Sequence, residues 1–131
     1  MLALIKNIGA VLIAALVTFS AVTAQAETVG TGSFVGASDH ITTGTVEVIK
    51  NADGSHTIVL GDDFSLDGAP DPRVGLGKDG FYNGNTDSGN LGSLTGTQSF
   101  TVPAGVDVSD FNEVYIWCEQ FSVPLGIAKL S

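Results

Sequence analysis

The chain has 131 residues, a formal net charge of −9 at pH 7, abundant glycine and a single cysteine. That charge works against nucleic-acid binding and against attraction to anionic lipid, because both depend on clustered Lys and Arg. With one cysteine there is no internal disulfide, so Cys118 is buried and inert, paired between molecules, or bound to another group.

Residues 1–26 follow the order of a secretory signal peptide. Lys6 lies in a short basic start, residues 8–19 form an apolar run, and Ala24-Gln25-Ala26 supplies the small residues that precede a cut. Cleavage is expected to leave residues 27–131 as one domain, periplasmic or secreted. No membrane attachment is expected afterwards, since a spanning helix wants about 20 apolar residues and this run is shorter. The mature part keeps Lys50, Arg73, Lys78 and Lys129 as its basic residues, against all 14 acidic ones.

Beyond Ala26, Gly and Asx-Gly interrupt the chain too often for ordinary helices, while strand patterns recur. Residues 32–36 form a short candidate strand. Residues 43–50 form another, with Val46 and Val48 on one face and Thr45 and Glu47 on the other. Asn51-Ala52-Asp53-Gly54 predicts a tight hairpin into residues 57–60. Phe64 and Leu66 alternate next. Pro70 and Pro72 make residues 67–72 a rigid turn and argue against a central strand there. Residues 78–92, dense in Gly, Asn and Asp around Phe81 and Tyr82, predict the longest and most mobile loop. Strands resume at 97–102, 112–118 and 121–130. About eight short strands with frequent turns predict an all-β fold, an antiparallel sandwich or barrel-like sandwich.

Alternation along residues 114–119 puts Val114, Ile116 and Cys118 on one face and Tyr115, Trp117 and Glu119 on the other. On this pattern Cys118 is a small core residue. Thiolate and imidazole also ligate copper, zinc and haem iron, and His40 and His56 complete the inventory. That inventory is thin. The mature chain has no Met, no His follows Cys118 at blue-copper spacing, and no Cys-x-x-Cys-His exists for covalent haem attachment. If residues 39–48 are continuous strand, His40 points inward with Val46 and Val48, and its plainer reading over a ligand is a hydrogen-bonded core or loop histidine; His56 lies beside the hairpin turn and is expected to be solvated. Residues 83–94 fail as an EF-hand, with Ser88 in place of the turn Gly and Leu94 in place of the closing Glu. Neither a Gly-x-Ser-x-Gly nor a His-Glu-x-x-His motif is present, so no hydrolase is indicated.

The run Val114-Tyr115-Ile116-Trp117-Cys118, the tail Phe121-Ser122-Val123-Pro124-Leu125-Gly126-Ile127-Ala128, Gly32-Ser33-Phe34 with His40 and Gly44, Asp67-Gly68-Ala69-Pro70-Asp71, and Phe100-Thr101-Val102-Pro103 together resemble the electron-transfer DM-thirteen (Skeletor-type) domain. The resemblance spans residues 30–130. It implies electron transfer through Cys118, as a bare thiol or as ligand to a bound group such as haem; His40 is the candidate residue to assist any cofactor. It also implies a separate redox or envelope protein as partner, because no DOMON or cytochrome domain accompanies this chain, and no catalysis by the domain alone. The competing reading is a noncatalytic envelope binding module. There Cys118 is structural, and outward Tyr115 and Trp117 with loop Phe81 and Tyr82 meet a protein or glycan; the plainer reading of the Tyr115 and Trp117 pair is cross-strand packing under a loop or second sheet.

Overall fold

The computed structural model describes residues 24–131; residues 1–23, which hold most of the expected signal peptide, lie outside the described residues. The strands are β1 (Glu27–Gly36), β2 (Thr42–Thr43), β3 (Thr45–Lys50), β4 (His56–Leu60), β5 (Ser65–Leu66), β6 (Pro72–Lys78), β7 (Phe81–Tyr82), β8 (Gln98–Thr101), β9 (Glu113–Cys118) and β10 (Val123–Lys129). Eight of them make one antiparallel sheet in the order β7, β6, β9, β10, β1, β3, β4, β8, and β2 pairs with β5 apart from it. The sheet is strongly curled into a half-barrel, in keeping with the barrel-like all-β expectation.

Alternation decides what the curl encloses. Val46 and Val48 of β3, Ile58 and Leu60 of β4, Val74 and Leu76 of β6, and Val114, Ile116 and Cys118 of β9 all enter one core. Strands from opposite halves of the sheet share this core only because the sheet bends back on itself. Register shifts between Thr28 and Gly30 in β1, and between Pro124 and Gly126 in β10, supply part of that bend, since an extra residue on one strand raises the local twist. The hairpin at residues 51–54 forms as expected, with Lys50 opposite His56, the Gly54 N–H on the Asn51 carbonyl at 2.9 Å and Gly54 at φ +88°.

Two expectations and the condition placed on His40 fail. Residues 39–48 are not one strand. Gly44 sits at φ +103°, a conformation that L side chains rarely adopt, against the backbone of Phe64. The chain therefore breaks there, and His40 lies in a surface turn rather than pointing into the core. Pro72 opens β6, which runs inside the sheet between β7 and β9. The exclusion of a central strand fails at this residue because the first residue of a strand can do without its N–H.

Residues 78–92 are not an open loop. They hold β7 and a 3₁₀ turn, Gly84–Thr86, and then track the edge of β6. Asn83 N–H bonds the Leu76 carbonyl, Ser88 N–H the Val74 carbonyl, Val74 N–H the Gly89 carbonyl, and Leu91 N–H the Pro72 carbonyl. The Leu76 N–H donates instead to the Thr86 hydroxyl at 2.7 Å. An unpaired strand edge is thereby satisfied without a full-length partner strand.

Candidate functional site

β9 carries a different group on each face. On the concave side Cys118 is 1% exposed and belongs to the hydrophobic core. Its thiol donates to the carbonyl of Pro70 at 3.1 Å. Pro70 lies in residues 67–71, a strap that leads from β5 into β6. The upstream end of the strap is tied to the turn before β2. His40 Nδ1 is 2.8 Å from Asp67 Oδ1, and the Ile41 N–H donates to Asp67 Oδ2 at 3.0 Å. First the Ile41 N–H and then His40 hold the Asp67 carboxyl below the usual carboxylate range. The downstream end is fastened by Arg73, whose Nε donates to Asp71 at 2.9 Å and whose other arm reaches Asp87 at 3.1 Å.

The two residues singled out in the sequence thus meet opposite ends of one strap. Cys118 touches its backbone from within, and His40 holds Asp67 from outside. Neither His40 nor Arg73 hydrogen-bonds the thiol; both are engaged by carboxylates.

Haem ligation by these residues needs an accessible donor and room for a macrocycle. Cys118 is enclosed by core side chains, its S–H is engaged by Pro70, and the surface clefts along β1 and β3, beside His56 and beside the 51–54 hairpin are lined by neither Cys118 nor His40. The two residues do not fit a haem between them in this fold. Among the described residues there is no group of three or more His, Cys, Asp or Glu that could hold a metal ion. His56 is half-buried beside Asp107 in one of those clefts rather than fully solvated.

On the convex face, Trp117 and Tyr115 point away from the core as alternation requires, yet only Trp117 retains exposure. Tyr115 is 1% exposed because β7 lays Tyr82 across the sheet, with the Tyr82 and Tyr115 ring centroids 5.6 Å apart. Tyr82 also stacks on Trp117 at 4.4 Å with the planes 18° apart. The rings rest on Gly75 and Gly77 of β6: a methyl group at Gly75 would lie 2.8 Å from the Tyr82 ring, and one at Gly77 would strike Tyr115. Burial, reinforced by nearby Glu113, pushes the Tyr115 phenol up to about 12, and burial pushes Tyr82 further. A contact surface built on both Tyr115 and Trp117 is therefore not available, although Phe81 is 79% exposed. The alternating glycines of Val74-Gly75-Leu76-Gly77 are a further sequence sign that large rings cover this part of the sheet.

A family model described as Electron transfer DM13 matches residues 33–130. The chain belongs to the electron transfer DM13 family. No curated protein and no solved structure matches it. The matched span of this DM13 domain begins in β1 and runs through β10, so it includes the strap, Cys118 and the convex aromatic stack.

Proposed function

We propose that this DM13 domain is an exported electron-transfer protein whose redox group is the bare thiol of Cys118, guarded by the strap of residues 67–71. The observation that carries this reading is the thiol's contact with Pro70 in a segment that His40 and Arg73 fasten at its two ends. In this scheme His40 is a latch, and no cofactor is required. A separate envelope protein bearing a disulfide is the partner. When the strap lifts, the thiol releases its proton to solvent and its sulfur bonds one sulfur of that disulfide. The other sulfur leaves as a thiolate, so the partner is reduced while Cys118 is oxidised into a mixed disulfide.

The reading is tested by following modification of native protein with an aromatic disulfide reagent. The wild-type thiol reacts slowly, at the rate at which the strap opens. His40→Ala and Asp67→Asn both react faster, without a matching change in global stability measured by urea unfolding. A rate identical in wild type and both variants, or one that follows global stability alone, overturns the strap as a guard.

A further inference from the structure

The convex stack contains the chain's one tryptophan and both of its tyrosines, and the thiol chemistry uses none of them. We infer that Trp117, Tyr82 and Tyr115 form a one-electron relay leading from the protein surface to the buried Tyr115–Glu113 pair. This rests on the electron-transfer reading above but does not depend on Cys118, which lies on the opposite face of β9.

Three observations give the relay its direction. Trp117 is half-exposed and is the accessible end, with Arg73 and Pro124 as its cross-strand neighbours. Tyr82 joins it to Tyr115 through two successive ring contacts. The phenols then differ in what can take their protons. An oxidised phenol is a strong acid, so its oxidation is favourable only where a base receives that proton. Tyr82 Oη is fully buried and has no hydrogen-bond partner among the described residues. It can bridge an electron but has nowhere to send a proton. Tyr115 donates to Glu113 Oε1 at 3.3 Å, and Glu113 is 4% exposed, with the same oxygen receiving the Gly80 N–H at 2.7 Å.

A high-potential, metal-centred one-electron oxidant takes one electron at Trp117. Tyr115 replaces that electron through Tyr82 and passes its phenolic proton to Glu113. The products are the reduced oxidant, a closed-shell Trp117, a neutral Tyr115 radical and a protonated Glu113. A one-electron donor, with return of the proton, restores the starting state.

The test uses the full chain and flash-generated tris(bipyridine)ruthenium(III), read by transient absorption and freeze-quench electron paramagnetic resonance. With one Trp and two Tyr in the sequence, each radical can be assigned. The persisting species is expected to be a neutral tyrosyl radical that disappears in Tyr115→Phe. Tyr82→Phe, which keeps the ring and drops the unused hydroxyl, retains it. Tyr82→Leu loses it and leaves the oxidation on Trp117. Glu113→Gln slows tyrosyl formation and leaves the Trp117 radical longer-lived. A tyrosyl yield unchanged in Tyr82→Leu, or a wild-type radical that stays on Trp117, overturns the relay. Cys118→Ala is expected to behave as wild type here, whereas loss of the relay with thiol gating intact would leave the strap proposal standing.

Discussion

Thr86 is fully buried, and its hydroxyl takes the place of a strand partner for β6. It accepts the Leu76 N–H at 2.7 Å and gives its own proton to the Asn83 carbonyl at 2.6 Å, with the Leu76 carbonyl 3.0 Å away as the alternative. Thr86→Val keeps the volume and removes the oxygen. The two carbonyls stay satisfied, because Asn83 also receives the Thr86 N–H and Leu76 the Asn83 N–H. The Leu76 N–H is left buried without a partner, which costs about 2 kcal/mol. Thr86→Ser keeps the oxygen and loses a methyl group, a cost of about 1 kcal/mol including the small void. Urea unfolding followed by Trp117 fluorescence should therefore rank wild type above Ser above Val. For a domain near this size the Val variant should melt roughly 10 °C lower. A Val variant as stable as wild type, or more stable than Ser, would refute the argument that this hydroxyl closes the edge of β6. Because Thr86 anchors the turn after β7, the near-ultraviolet dichroism of the stacked rings should weaken in Val more than in Ser.

Two further outcomes follow from the convex face. Gly77→Ala drives a methyl group against the Tyr115 ring and the Phe81 carbonyl and should cost about 1–3 kcal/mol. Gly84→Ala, which meets open space, should stay within about 0.5 kcal/mol in the same urea titration; equal effects at the two sites would remove the case for a glycine floor. In alkali, the folded-state Tyr115 phenol is raised from 10.0 to about 12. The folded protein thus holds a proton that the unfolded chain releases first. The stability linked to this group is complete below pH 10 and is lost as pH rises toward 12. Phenolate absorbance should show no tyrosine ionising at its ordinary value until the fold opens, and an ionisation near pH 10 in folded protein would contradict the burial of both rings.

The convex site was only half legible in the primary structure. Period-two alternation correctly separated Val114, Ile116 and Cys118 from Tyr115 and Trp117, because successive side chains of a strand must leave opposite faces. Packing of Tyr115 and Trp117 under a loop is the plainer reading, but alternation cannot say that Tyr82 is the cover, since that ring arrives from a segment whose Gly, Asn and Asp content reads as loop. Those residues do form turns, as with the Asn83 side chain capping the 3₁₀ turn, but they turn along β6 and not away from it.

The residue pattern by itself determined the all-β class, the 51–54 hairpin, the inward face of β9 and, through its motifs, the DM13 family. These depend on local backbone preference and short-range periodicity, which are written within a few residues. Only the tertiary structure decided that His40 faces Asp67 and not the core, that Cys118 lies beneath Pro70, and that Tyr82 bridges Trp117 and Tyr115. Each of the three joins positions separated by 27 to 48 residues or brought together by sheet pairing. Such contacts follow from how far the sheet curls and which edge the chain returns to, quantities set by the sum of the packing and not by any one segment.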